Sequence, residues 1–353
     1  MTILLILGGL AALAVLPQVA WLALLAGAAL ASRGSRAPET ARLSRFLFVI
    51  PAHNEEAGIA YTVASCRAVA WPEELRRVLV LADNCDDATA ARARAAGAEV
   101  WERRDETRPG KGHALEAFFA GAAAREGVDA FVLVDADSEV SPDLPAVFNR
   151  ALAAGASWIQ CHYGVRNPDA SWRTRLLTYA LSLFNGAWLA GQHALGVGAA
   201  FRGNGMCLAA PALERHPWRA ATLAEDLEFS WHLRLAGEFV AYAGDAWVRA
   251  TMVARDPRAL ASQRLRWESG RSGLRPLVRP RIWSTPGVSP RTRILWTLDL
   301  ESWPLARVGA LAGIAALAAA LVLRPAPSAA AAWLGWVVVL EWCALALYLL
   351  SPF

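Results

Sequence analysis

The segment VLVDADSEV (132–140) is an apolar run that ends in two carboxylates at i and i+2, Asp135 and Asp137. On a strand the two share one side, and unpaired acids held together repel each other. A divalent cation relieves that repulsion, and hard oxygen donors suit Mg2+ or Mn2+. The plainer alternative is a pair of solvated acids at a strand end. LAED (223–226) supplies a second carboxylate pair, Glu225 and Asp226. It reads either as an ordinary acidic helix start, favoured by the helix dipole, or as a general base pointing into a crevice. RGNGM (202–206) flanks Asn204 with two glycines, which suits a tight loop near a ligand or a simple turn. QRLRW (263–267) places Gln263, Arg266 and Trp267 on one helical face, where a guanidinium could clamp a phosphate beside an indole stacked on a sugar ring. The same residues also suit an interfacial helix with snorkelling Arg and a headgroup-level Trp.

GKGHAL (110–115) contains Lys111, the only lysine among 35 basic residues. The P-loop pattern fails, because Gly112 stands where Ser or Thr is needed and no earlier glycine has the right spacing. A solvated loop lysine is the bland reading. Against it, the segment opens a helix, whose N-terminus favours anions, and a compact ammonium does work that a planar guanidinium does not. Five scattered cysteines without CxxC spacing point to free thiols in a reducing compartment and away from zinc. No Ser-His-Asp or Cys-His arrangement is legible.

These residues must be positioned by a sheet. Residues 45–52, 76–83, 98–103 and 130–137 are short β-rich runs separated by Ala-rich, helix-prone stretches, which predicts an α/β domain with a mostly parallel sheet. Each run ends in polar residues (His53, Asn54 and Glu55; Asp83 and Asn84; Asp135 and Asp137), so their side chains should meet at the carboxyl ends of the strands. Further on, 157–165 and 238–250 read as strands, 171–194 as a long helix, and 257–283 as an Arg- and Trp-rich helical stretch.

The apolar fraction, 56%, is high, and the excess is localised. Residues 2–32 carry no charge and are long enough to span a bilayer, with Pro17 a kink site. Residues 307–323 and 328–350 read as a hairpin crossing it twice, with Glu341 its one acid and the first leg borrowing residues from ILWTLDLESWPLA. Arginines follow the first span (33, 36, 42, 45) and precede the second (275, 279, 281, 291, 293), which puts residues 33–300 on the cytoplasmic side of a plasma (inner) membrane in a multi-pass topology. The net charge of +4 then reads as attraction to anionic headgroups, with no nucleic-acid motif beside it. The expected organisation is a transmembrane helix at 1–32, a basic linker at 33–45, a catalytic domain at 46–255, amphipathic interface helices at 256–290 and a transmembrane hairpin at 291–353.

Taken in order, PAHNEE, LADNCDD, GKGHAL, VDADS, RGNGM, LAED and QRLRW across residues 50–267 resemble the membrane-bound family 2 glycosyltransferases, a group that includes cellulose, chitin and hyaluronan synthases and ceramide glucosyltransferase. The resemblance implies a GT-A fold (a Rossmann-like mixed sheet), a nucleotide-sugar donor, usually a UDP-sugar, and inversion at the anomeric carbon. Carried across, Asp83 would contact the base or ribose, with Pro51, Asn54 and Glu55 beside it. Asp135 and Asp137 would hold the diphosphate, Asp137 chiefly through the metal. Asp226 would be the base on the acceptor hydroxyl, and Gln263, Arg266 and Trp267 would close over the diphosphate and acceptor end. Lys111 would contact the diphosphate, with His113 its neighbour. One span before and two after the domain fall short of a polymer channel, so a polymer product would need an oligomer or a partner protein. The acceptor is expected to be a membrane lipid or a growing glycan. A nucleotidyltransferase would share the nucleotide crevice and paired acids, but LAED and QRLRW argue against it.

Overall fold

Residues 46–52, FLFVIPA, are uncharged and apolar on both faces, as a strand covered from both sides must be. The computed structural model describes residues 2–33, 40–121, 127–219, 222, 224–252, 257–323 and 328–352, with the side chains of 257–269 and 271 outside that description. Residues 46–52 form β1 (Phe46–Ala52), flanked by β2 (Arg76–Asp83) and β4 (Ala130–Leu133), and β2 pairs with β3 (Glu99–Arg103), all parallel. The remaining strands are β5 (Ser138–Val140), β6 (Trp158–Val165), β7 (Met206–Ala209) and β8 (Val240–Ala250). The eight-stranded order is β3-β2-β1-β4-β7-β6-β8-β5, with β7 antiparallel to both β4 and β6. Strand order reverses between β1 and β4, so the carboxyl ends of these two strands border a crevice.

The crossovers are helical: α2 (Ile59–Arg67), α3 (Thr89–Ala95) and α4 (Lys111–Ala120) follow the first three strands. Phe48, Ile50, Val63, Val80, Val132 and Phe148 are among the fully buried side chains on one face of the sheet. The mixed sheet matches the expected class, with two differences. The strand expected over 130–137 stops at Leu133, so Asp135 and Asp137 occupy the turn into β5 and not a strand end. MCLA (206–209), read as part of a glycine-rich connection, is an interior strand, its backbone paired with β4 on one side and β6 on the other.

Two compact units make up the chain: one comprises Gly34–Leu189 with Gly198–Val278 and holds the sheet; the other comprises Met1–Arg33, Ala190–Val197 and Arg279–Phe353. In the second unit, α1 (Thr2–Ala31), α12 (Leu305–Leu323) and α13 (Ala329–Leu350) are each long and apolar enough to cross a membrane. They pack through small residues: Ala11, Ala12, Ala315, Ala319 and Ala331 line the seam, and a Cβ on Gly8 would lie 2.7 Å from Ala318 Cβ. Leu10, Leu13, Leu317, Trp333 and Trp336 point outward, exposed. The first leg of the hairpin takes only Leu305 and Ala306 from ILWTLDLESWPLA. Residues 290–300 form a separate helix, α11 (Pro290–Leu300), and Glu301–Pro304 breaks the chain before α12. Gln18 binds that break, donating to the Glu301 carbonyl and accepting from Trp303 N (3.0 Å).

Candidate functional site

The polar residues that close β1 and β2 interlock. Asn54 and Asn84 both adopt positive φ (55° and 50°), which an asparagine tolerates better than most side chains. Asn54 Oδ1 accepts from Asp86 N (3.0 Å), Glu55 N donates to Thr89 Oγ1 (2.7 Å), and Pro51 pairs with Leu81 across the two strands. Asp83, 4% exposed, accepts from Arg103 Nη1 (2.6 Å) on one oxygen and from Gly110 N (3.1 Å) on the other.

Lys111 is the first residue of α4, preceded by Gly110 at φ +103°. Its ammonium donates to Asp135 Oδ1 and to the Gly203 carbonyl. Burial pulls the Lys111 pKa down, but the carboxylates of Asp135, Glu225 and Asp226 outweigh it and hold the ammonium above the ordinary lysine value. The lone lysine therefore sits among three acids from two places, the turn after β4 and the first turn of α9.

Asp137 is pushed above the usual carboxylate range, first by burial and then by the charge of Asp135, while the Ser138 hydroxyl (3.2 Å) opposes the shift. Glu55 feels the same pair: burial raises its pKa, and Asp137 and Asp135 raise it further. A cation would relieve this like-charge cost. Among the described residues no group of three or more His, Cys, Asp or Glu gathers to hold one. The donor set that fits is the two carboxylates plus oxygens brought by a ligand or water, the pattern of a hard divalent ion.

Opposite stands α9 (Glu225–Leu235), which carries Glu225 and Asp226 in its first turn. Burial raises both carboxyls; Asp226 lifts Glu225 further, to about 7, and Lys111 opposes. For Asp226 the Leu227 N–H, Lys111 and Arg202 pull the other way without cancelling burial. Gly203 lies between the two sides at φ +78°, where a Cβ would be 3.4 Å from Asp226 Oδ2 and 3.8 Å from Lys111 Nζ. Only glycine serves there, because its carbonyl must reach Lys111 from a backbone conformation other residues avoid.

Asn204 is fully buried; Oδ1 accepts from Asp135 N (3.1 Å) and Nδ2 donates to Ser138 Oγ (2.9 Å). It is a brace for the acidic turn. Three neighbouring braces are not evident from motifs. Gln160, inside β6, donates to the Asn204 carbonyl (2.8 Å) and accepts from Arg202 N (2.9 Å). Ser230 accepts from Phe201 N and donates to the Asp226 carbonyl, both at 2.8 Å. Tyr163 keeps its phenol neutral through burial, with Asp135 and Asp137 pushing in the same direction and Asn204 as a hydrogen-bond partner. A glutamine within the apolar run WIQCHYGV was the one available signal for this group.

The structure thus gathers Lys111, Asp135, Asp137, Asn204, Glu225 and Asp226, with Glu55 in their field. His113 lies apart, its ring next to Arg108 and Glu116. Gln263, Arg266 and Trp267 fall in the helix α10 (Pro257–Ser284), but their side chains lie outside the described residues.

The family model for the glycosyltransferase like family 2 matches residues 44–270. No curated protein sequence matches the chain. Among solved structures, a mannosyltransferase from Pyrobaculum calidifontis in complex with GDP-Man and Mn2+ is 17% identical, covers 99% of this chain and 97% of its own, and superposes with a TM-score of 0.62. Glucosyl-3-phosphoglycerate synthase from Mycobacterium tuberculosis, with Mg2+ and UDP, is 22% identical over 67% of this chain and 78% of its own, at a TM-score of 0.42.

Proposed function

The chain belongs to the glycosyltransferase like family 2, and from that premise we propose that it moves a sugar, with inversion, from a nucleotide-sugar to a membrane-associated acceptor in polysaccharide or lipid-linked glycan synthesis. The observation that carries this reading is the meeting of Lys111 and the Asp135–Asp137 turn with the Glu225–Asp226 pair across one crevice, in a chain with three helices apolar enough to span a bilayer. The residues divide by chemistry. Lys111 binds donor diphosphate oxygens, and Asp135 and Asp137 would hold the Mg2+ or Mn2+ that neutralises the leaving diphosphate when bound. Asp226, raised by burial, takes the proton of the acceptor hydroxyl; that oxygen bonds to the anomeric carbon as the bond to the diphosphate breaks, and nucleoside diphosphate leaves. Asp83, Pro51, Asn54 and Glu55 form the wall beside the nucleotide. Gln263, Arg266 and Trp267 close over the diphosphate and acceptor end. The arginine distribution supports a plasma-membrane protein with this domain on the cytoplasmic face.

A second reading, transfer of a single sugar to a membrane lipid, is favoured by the helix bundle. Among the described residues the seam of α1, α12 and α13 packs through alanines, with Gly8 against Ala318. Both readings meet the same test. The protein in lipid nanodiscs is incubated with a panel of UDP- and GDP-sugars, Mn2+ and lipid extracts, and the products are analysed by mass spectrometry. One added sugar on a lipid supports the second reading, a ladder of additions supports polymer synthesis, and release of pyrophosphate in place of nucleoside diphosphate overturns both.

A further inference from the structure

The helix α10 carries two glycines in its interior, Gly270 and Gly273. Glycine weakens a helix interior, so each calls for a reason. Space supplies one for the first only. A Cβ on Gly270 would lie 2.6 Å from Ala224 Cβ, whereas a Cβ on Gly273 would meet nothing within 4 Å. Ala224 is the N-cap of α9, the residue immediately before Glu225 and Asp226. The same face of α10 stays buried beyond this point: Leu274 and Val278, at i+4 and i+8 from Gly270, are 1% and 4% exposed. Position 270 also lies at i+3, i+4 and i+7 from positions 267, 266 and 263. By helical spacing, the chemistry-bearing positions of QRLRW and the point of close approach therefore fall on one face.

Ala224 has little freedom to move aside. Its N–H donates to Thr222 Oγ1 (3.3 Å), Thr222 N donates to Glu228 Oε2 (3.0 Å), and Glu228 N donates to the Ala224 carbonyl (2.9 Å). A methyl group added at Gly270 would push the two backbones apart by about 1 Å, the gap between 2.6 Å and an ordinary carbon–carbon contact. We infer that Gly270 is a positioning residue for the proposed transfer. It seats the QRLRW helix against the turn that holds Asp226, and so fixes the base relative to the helix that closes over the diphosphate and acceptor. The inference rests on the glycosyltransferase reading above. Gly270 acts on the rate of transfer and not on ground-state donor binding, because Lys111 and the Asp135–Asp137 turn belong to other elements.

The test compares Gly270→Ala with Gly273→Ala on the full chain in nanodiscs, using the best UDP- or GDP-sugar of the panel, Mn2+ and the lipid extract. Both substitutions remove a helix glycine, and only the first meets Ala224. Gly270→Ala should lower kcat by about tenfold or more, the scale of a displacement of about 1 Å at a reacting centre, with less than about threefold change in donor KM. Gly273→Ala should stay within about twofold of wild type in both. Adding Ala224→Gly to Gly270→Ala removes the clash, leaving Ala224 Cα and N at 3.6 and 3.7 Å from the new methyl group, and should regain most of the lost kcat. Should Gly270→Ala fail to fold, the double variant carries the same test, since it must fold and turn over within about threefold of Ala224→Gly alone. Three outcomes overturn the inference and leave the glycosyltransferase reading in place: a Gly270→Ala kcat matching that of Gly273→Ala, a loss that Ala224→Gly does not relieve, or a rise in donor KM at unchanged kcat. A wild type that transfers no sugar from any donor of the panel overturns that reading itself, and the inference with it.

Discussion

The two halves of the crevice treat their carboxylates differently. On the β1–β4 side Asp83 has Arg103 and Asp135 has Lys111, while Asp137, bonded to the Ser138 hydroxyl, and Glu55 are raised by burial and by like charge that a bound cation would relieve. On the α9 side Glu225 and Asp226 adjoin in sequence, both buried and both raised, with Lys111 as a shared and partial counter-charge. The first arrangement suits groups that bind an anion or cation and keep their charge. The second suits a group that must change charge during turnover, since a raised carboxyl is a better proton acceptor near neutral pH.

That contrast breaks most readily at Asp226. Asp226→Asn keeps the shape and removes the base, so transfer should fall by about 10³-fold or more while nucleoside diphosphate affinity changes less than about threefold. Product formation and calorimetry on the same preparation check it; near-normal turnover would place the base elsewhere. The binding side gives the converse. Asp137→Ala, or EDTA on the wild type, should cost about 10²-fold and weaken diphosphate affinity along with it. Full activity in EDTA would leave the Asp135–Asp137 repulsion unexplained.

Lys111→Arg is the next effect in size. The charge survives, but the planar fork on a longer stem does not reproduce a single ammonium between Asp135 Oδ1 and the Gly203 carbonyl. A loss of about 10–100-fold follows from one charge-assisted contact of about 1.5–3 kcal/mol, read as kcat/KM for the donor. An unimpaired variant would make Lys111 a surface residue.

Much of this was legible from the chain. The parallel strands 46–52 and 76–83 were evident because a buried parallel strand is a continuous apolar run, and their polar ends marked the crevice. Asp135, Asp137, Asn204, Glu225 and Asp226 stood out because acids and glycines at short spacing are rare without a purpose. What could not be read was pairing at long range. Arg103 is one of thirty-four arginines, and nothing local distinguishes it from Arg77, which makes an exposed ion pair with Glu99. Its partner Asp83 lies twenty residues away on the neighbouring strand. Ser230 and Gln160 likewise gain their roles only when the sheet brings Phe201, Arg202 and Asn204 to them. Leu133 ends its strand because the chain turns there into β5, which pairs with β8, a tertiary event with no mark in VLVDADSEV.

The smallest effect sharpens the comparison most, because it asks whether the α9 pair is held at an electrostatic cost. Glu225 sits at about 7 in the folded protein, against 4.5 ordinarily, through burial first and Asp226 second. The folded state then binds more protons than the unfolded chain between these values. Stability is therefore lost as pH rises from about 4.5 through 7 and stays lower above that. Glu225→Gln removes this term, so its melting temperature relative to wild type should be higher at pH 8 than at pH 5. The same substitution takes a negative charge from beside Asp226 and lowers the pKa of the base. The acid limb of the kcat profile should then move to lower pH. Should the limb stay in place while the stability difference appears, Glu225 and Asp226 titrate independently, and the raised base owes everything to burial.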